Sequence, residues 1–253
     1  TMTLGIIGVG HLASALLTSL LRTGYPAGQI VLSPRGQWPA LAARHGFALA
    51  DDNADLVRRA ETVLLAVRPA EAVASLRGLP WRRGQTLASA CAGVPVAALE
   101  EAATPAGIVR IMPITAAELG ASPTLVYPDT PALAPILSAF GTPVPLEDEA
   151  QFEAATTSAA IYGWAQALIR DSAAWARAAG VQPEAARALM ARTFVAAGRM
   201  VDEHEATVDD LLARVVTPGG ITEAGLAHLE AAGTREAWHG ACDVVLRKLH
   251  GRS

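Results

Sequence analysis

The sequence predicts an α/β amino-terminal half built on a mainly parallel sheet, followed by an all-α carboxyl-terminal half. Three observations carry that expectation. Short apolar, β-branched runs alternate with helical stretches from Thr3 to about Leu146. A glycine-rich turn follows the first of these runs and opens an apolar helix. After "FGTPVPLEDEAQ", with its two prolines and acidic cluster, the apolar residues fall at helical spacing. The boundary is placed near Glu149, giving regions 1–149 and 150–253.

The first run, "TLGIIG", reads as a strand. It passes through Ile6 and Ile7 into Gly8-Val9-Gly10-His11-Leu12-Ala13, a G-x-G-x-x-A pattern. Gly8 permits a tight turn, Gly10 lets the backbone approach a pyrophosphate, and Ala13 keeps helix and strand close. The helix amino terminus then presents free amides and a partial positive charge to the phosphates. A glycine triplet alone is a weak signal. Its place between a strand and a helix favours a dinucleotide-binding Rossmann-type domain over a plain tight turn.

The second strand, "QIVL", runs into "SPRG". A site for NAD usually carries Asp or Glu about 20 residues past the glycines, to hold the ribose 2′-hydroxyl. Here Ser33 and Arg35 occupy that strand end, and the first acid is Asp51. A hydroxyl and a planar guanidinium suit a 2′-phosphate, so NADPH is expected in preference to NADH. The plainer alternative for Arg35 is a solvated loop cation. "TVLLAV" is followed by "RPAE", which puts Ala66, Val67, Arg68 and Pro69 at a strand end, where open α/β sheets bind ligands. "QTLASA" leads to Ala92 and Gly93, "IVRIM" leads to Met112 and Pro113, and "TLVY" is a further strand. Each of these turns alone could be an ordinary connection. Their repetition at successive strand ends argues for one groove.

In the second half, Gln151 to Ala179 reads as one long helix containing Trp164, Leu168 and Trp175. Between Pro183 and Val201, the residues Ala186, Leu189, Met190, Thr193, Ala197, Met200 and Val201 mark one buried helical face. Thr207, three residues before Asp210, is a capping signal for "DLLARV". The final 30 or so residues form one or two more helices. Within this half "RVVTPGGITEAGL" places a Pro-Gly-Gly turn between Thr217 and Thr222. That turn could simply join two helices, or it could offer amides to an anion at a helix start.

Composition narrows the function. Of 253 residues 51% are apolar, enough for a sizeable core, and the net charge of −4 with no basic tract disfavours nucleic acid as a partner. Cys91 and Cys242 fit no metal or redox spacing. The six histidines show no paired spacing, so no metal is expected. No basic leader and no long apolar run is visible, and a cytoplasmic setting without a membrane is expected. The alanine-rich carboxyl half packs helices closely but gives a lone domain little core, so a homodimer or higher oligomer is expected.

The motifs together resemble the pyrroline-5-carboxylate reductase family almost end to end. They are "GIIGVGHLASAL", "LLAVRP" where the family shows V-K-P, "SACAGV", "VRIMPITAA" where it shows R-x-M-P-N-T, and "VTPGGITEAGL" where it shows S-P-G-G-T-T. The resemblance implies a Rossmann domain and an all-helical dimerisation domain. It implies reduction of a cyclic imine, 1-pyrroline-5-carboxylate, to L-proline with NAD(P)H. It carries cofactor contacts onto Ile6 to His11, Ser33, Asn53, Ala66 to Pro69 and Ala92-Gly93. It also implies that Thr222 hydrogen-bonds the imine or amine nitrogen, with Thr217, Gly219, Gly220, Ile221, Ser158 and Tyr162 around the substrate. In the family the Pro-Gly-Gly turn faces the partner subunit's cofactor. The departures are Ile114 for the family's Asn, Ile221 for its first Thr, Arg68 for its Lys, and Ser158 to Trp164 in place of S-G-S-G-P-A-Y. They leave open a different, more apolar imine or imino acid, and a non-catalytic NADP-binding dimer. Related short-helical-domain dehydrogenases use a lysine on the long helix, whereas Lys248 is the only lysine here.

Overall fold

The structure is a computed structural model that describes residues 2–8, 10–36 and 38–251. Val9, one of the expected cofactor positions, lies outside them. The chain packs as two compact units, Thr1–Ala159 with Leu246–Ser253, and Ala160–Val245.

The first unit is built on one sheet of eight strands in the order β3-β2-β1-β4-β5-β6-β7-β8. These are β1 (Leu4–Ile7), β2 (Ile30–Leu32), β3 (Ala48–Leu49), β4 (Thr62–Leu65), β5 (Thr86–Ser89), β6 (Gly107–Met112), β7 (Ser122–Tyr127) and β8 (Gly141–Pro145). Every neighbouring pair is parallel except β6 with β7. The central strands are near-continuous apolar runs because helices cover both faces of a parallel sheet. One face packs on α1 (His11–Arg22), α2 (Trp38–His45) and α6 (Ala134–Phe140) through Leu16, Leu20, Trp38, Leu137 and Phe140. The other packs on α3 (Asn53–Arg59), α4 (Ala72–Leu76) and α5 (Val96–Ala103) through Leu56, Leu76 and Leu99. The order 3-2-1-4-5-6 is that of doubly wound dinucleotide folds, in which the strand order reverses between β1 and β4.

All six expected strands are present, and two more are added. β3 has only two residues, too few to show a periodicity. β8 overlaps the segment read as a proline-rich boundary. Pro143 and Pro145 are tolerated there because β8 is an edge strand with a partner on one side only.

The change of composition near Glu149 marks the start of α7 (Glu149–Ala155), and the seam between units falls after Ala159. α7 is tied to the sheet by Arg110 of β6, which is 1% exposed. Its Nη1 donates to Glu149 Oε1 at 2.8 Å, its Nη2 pairs with the Glu153 carboxylate, and its guanidinium lies 4.6 Å from the Phe152 ring centre. Glu149 also accepts from the Val96 amide at 2.7 Å. The single helix expected from Gln151 to Ala179 is instead two, α7 and α8 (Thr157–Ala178). The break is at Thr156, a buried residue whose hydroxyl bonds back to the Phe152 carbonyl at 2.8 Å, a contact that competes with regular helix geometry.

The second unit is helical: α8, α9 (Pro183–Glu203), α10 (Val208–Val215), α11 (Ile221–Ala231) and most of α12 (Thr234–Leu249). Thr207 caps α10 as expected, accepting from the Asp210 amide at 3.2 Å. Trp164 meets Trp238 edge-on, with ring centres 5.3 Å apart. The buried face expected on α9 is mostly not buried. Ala186 is inside, but Leu189 is 56% exposed, and Met200 and Val201 are exposed as well. The amphipathic spacing is real, yet among the described residues most of the stripe is left uncovered. No helix among the described residues is long and apolar enough to cross a membrane.

Candidate active site

A groove of 790 Å³ lies at the carboxyl ends of β1 and β4, where the strand order reverses. It brings together Ile7, Gly8 and Gly10 from the first turn, Ser33 and Arg35 from the second, Asn53 at the start of α3, and Ala66, Val67 and Arg68 after β4. Gly8 has φ +129°, and a side chain there would collide with the Ala66 backbone. Gly10 is different. Its backbone is extended, and a Cβ would meet nothing within 4 Å. That open space lies at the head of a twelve-residue helix with no side-chain cap and no acid in its first turn. A pyrophosphate fits such a place, because free amides and the helix dipole favour an anion where no Cβ intrudes. His11 is exposed at the first position of α1, Leu12 is half-buried beside it, and Pro69 is exposed in the turn after Arg68.

The second strand end adds two groups of different character. Ser33 is buried, with its amide on the Ile6 carbonyl, whereas Arg35 is exposed on the groove wall. Arg35 and Arg68 are the cations of the lining, and Glu71 is its carboxylate. Near Asn53, Asp52 caps α3 by accepting from the Asp55 amide at 2.6 Å. A hydrogen bond from the Asp51 amide, then one from Arg59, holds the Asp55 carboxyl below the usual carboxylate range. Beneath Val67, Cys91 is buried, and its Sγ donates to the Val67 carbonyl at 3.4 Å. Burial pushes that thiol's pKa up.

Other expected cofactor residues do not line this groove. Ile6 is fully buried in β1. Met112 and Pro113 are buried too, Met112 against Leu125 and Phe152. The Ala92-Gly93 turn abuts the end of α12, where a side chain on Gly93 would meet the Leu249 carbonyl oxygen at 2.8 Å. Lining residues that the sequence reading missed are Ala70, Glu71, Ala74 and Ser75. Ala70 and Glu71 lie in the turn after β4, and Ala74 and Ser75 lie on α4 beyond it; their closeness in sequence to the RPAE turn was the available signal. Trp38 was missed as well: its indole Nε1 donates to the Gly8 carbonyl oxygen at 2.7 Å.

The second unit carries the Pro-Gly-Gly turn. Gly220 donates its amide to the Thr217 carbonyl at 2.9 Å, and Gly219 takes φ +72°, a value that needs glycine at that place in the turn. Of the two readings of this turn, offering the glycine amides to an anion is not what the hydrogen bonds favour, since both amides are engaged. The Gly219 amide donates to Glu223 Oε2 at 2.7 Å, and the Gly220 amide closes the turn. A tight turn satisfies its own donors wherever a nearby acceptor allows it. What remains for an anion is the first turn of α11, which has Gly220 as an amino-terminal cap without a side chain. Thr222 is half-buried in that turn, and Ile221 before it is 94% exposed. Ser158 is exposed and Tyr162 half-buried on α8.

Comparison with known proteins agrees with both halves. Residues 3–93 match the family described as NADP oxidoreductase coenzyme F420-dependent, and residues 149–250 match pyrroline-5-carboxylate reductase dimerisation. The chain is 31% identical to the pyrroline-5-carboxylate reductase of Pseudomonas aeruginosa, over 92% of this chain and 90% of that protein. It is 31% identical to the one of Synechocystis sp., over 92% of each. Its fold is similar to the crystal structure of Plasmodium falciparum pyrroline carboxylate reductase with NADP bound, with a TM-score of 0.88, 22% identity, and coverage of 99% and 98% of the two chains. With a glycine turn at the switch point of a doubly wound sheet, a matching helical region and relatives of nearly full length, this chain belongs to the pyrroline-5-carboxylate reductase family.

Proposed function

We infer that this chain reduces 1-pyrroline-5-carboxylate to proline, with NADPH as the reductant. The observation that carries the reading is the groove at the β1/β4 switch point, with open space over Gly10 and with Ser33 and Arg35 at its second strand end. The first turn of α1 holds the pyrophosphate, and Ser33 and Arg35 hold the 2′-phosphate. When bound, the reduced nicotinamide supplies a hydride for the carbon of the C=N bond. The protonated imine is already a good electrophile, so the protein's work is mostly positioning. The amides of the first turn of α11 bind the substrate carboxylate, and the Thr222 hydroxyl hydrogen-bonds the ring nitrogen. Thr217, Gly219 and Gly220 shape the turn that presents them. Ser158 and Tyr162 at the start of α8 complete the pocket. Residues 150–253 serve as the dimerisation and substrate region. The exposed Leu189, Met200 and Val201 on α9 support a homodimer. Two unpaired cysteines support a reducing, cytoplasmic setting.

A second reading has its own support. Ile221 projects next to Thr222 with 94% exposure, where the family motif has a threonine. An apolar group at that place favours a bulkier or more apolar imine than the five-membered imino acid.

Steady-state kinetics with both cofactors and both substrate types decide between them. Proline should form, and kcat/KM should favour NADPH over NADH by about tenfold or more. That ratio follows from one charge-assisted bond between Arg35 and the 2′-phosphate, worth about 1.5–3 kcal/mol. Clear NADPH binding without oxidation by pyrroline-5-carboxylate would defeat the proline reading. Turnover confined to apolar imines would favour the second.

A further inference from the structure

Trp38 is the largest fully buried side chain, at 0% exposure, and it belongs to the core cluster between the sheet and α1. Packing alone explains an apolar body at that place. It does not explain the direction of the indole N–H, which donates to the Gly8 carbonyl oxygen at 2.7 Å. Gly8 is the more tightly constrained of the two glycines in the groove. Its φ is +129°, and the Ala66 backbone closes one side of it. Trp38 fixes that residue through its carbonyl. The same residue is bound to the second cofactor loop, since it opens α2 and its backbone amide donates to the Arg35 carbonyl at 3.3 Å. One residue thus joins the turn placed to receive the pyrophosphate and the loop carrying Ser33 and Arg35.

We propose that Trp38 is a positioning residue for the dinucleotide: its indole N–H sets the glycine turn, and its backbone ties that turn to the loop that selects the 2′-phosphate. The proposal rests on the reading of the groove as an NADPH site. A buried carbonyl needs a donor, and the indole N–H can only donate, so the pair is matched in chemistry as well as in distance. Phenylalanine would keep an aromatic body in the core and leave the Gly8 carbonyl without its partner. Set loosely, the turn would still form, but it would present its amides to the phosphates less well.

The test compares Trp38→Phe with Phe47→Leu, a substitution in the same core cluster at a residue just before β3 whose ring lies against His45. Trp38→Phe should raise the Kd and KM for NADPH about tenfold, with the KM for the imine nearly unchanged. Phe47→Leu should lower the melting temperature comparably while leaving the Kd for NADPH within about twofold. Equal loss of NADPH affinity in both variants, or none in Trp38→Phe, would reduce Trp38 to core packing. A measurement on the wild-type protein covers the case where Trp38→Phe does not fold. The indole N–H resonance of Trp38 should resist exchange with solvent and should shift when NADPH is added. A resonance that ignores NADPH would overturn the proposal. Failure of the wild-type protein to bind NADPH at all would instead remove the cofactor reading, and the proposal with it.

Discussion

The two glycines of the first turn are predicted to fail in different ways. At Gly8 an added Cβ would lie 2.5 Å from the Ala66 carbonyl carbon and 3.2 Å from its Cα, both of them backbone atoms that cannot swing aside. The φ of +129° is also one that L residues rarely adopt. Strain of that kind costs about 1–3 kcal/mol, and overpacking adds about 1–3 kcal/mol. The sum, about 2–6 kcal/mol, is a large part of a typical domain stability of about 5–15 kcal/mol. Gly8→Ala should therefore be visibly destabilised. At Gly10 the backbone is already extended and nothing lies within 4 Å of the added atom. Alanine there loses about 0.5–1 kcal/mol as an amino-terminal cap and regains about 0.4–1 kcal/mol by restricting the unfolded chain. Gly10→Ala should melt within about 3 °C of wild type. Its methyl group nevertheless fills the space assigned to the pyrophosphate. Loss of one charge-assisted hydrogen bond, about 1.5–3 kcal/mol, weakens NADPH about 10- to 150-fold. Thermal melts paired with titration of NADPH into each variant read both effects. A Gly10→Ala protein that binds NADPH as tightly as wild type would refute the placement of the phosphate, whatever the melts show.

Three further outcomes follow from the same structure. Arg110→Ala leaves Glu153 unpaired beside Phe152 and should cost about 3–5 kcal/mol in denaturant unfolding; a loss below about 1 kcal/mol would show that α7 is held by packing alone. Burial raises the Cys91 pKa above its unfolded value, so the protonated thiol's contribution to stability is complete below about pH 8.5 and is lost as pH climbs through the folded value. Cys91→Ala should flatten that alkaline decline, and an unchanged pH profile would contradict the assignment. Leu189→Glu puts a charge on the open face of α9 and should shift the protein toward monomer in analytical ultracentrifugation, whereas an unaltered sedimentation coefficient would place the dimer contact elsewhere.

The parallel core was legible because both of its faces are covered. Strands such as "LGII" and "TVLL" must be apolar throughout, and that pattern needs no partner outside the sheet. The glycine turn was legible for a similar reason, since its neighbours on the chain supply the strand and the helix that give it meaning. β8 was not legible because its prolines forbid a central strand, and only the sheet order reveals an edge. The face of α9 was read correctly as a pattern and wrongly as buried, because periodicity records where an apolar stripe lies and not which chain covers it. In the Pro-Gly-Gly turn the residue types suggested bare amides, yet Glu223 reaches back four residues to one of them, a matter of side-chain geometry. Trp38 carried no signal at all. Nothing in "RGQWPAL" shows that an indole will meet the carbonyl of Gly8, thirty residues earlier.

Hydride is proposed to pass within this protein from NADPH to the carbon of a pyrroline C=N bond. Turnover of 1-pyrroline-5-carboxylate with NADPH deuterated at the transferable position, followed by mass spectrometry of the product, tests it most directly. The product should be proline carrying one deuterium, bonded to the former imine carbon. Unlabelled proline, or oxidised cofactor with no proline, would contradict it.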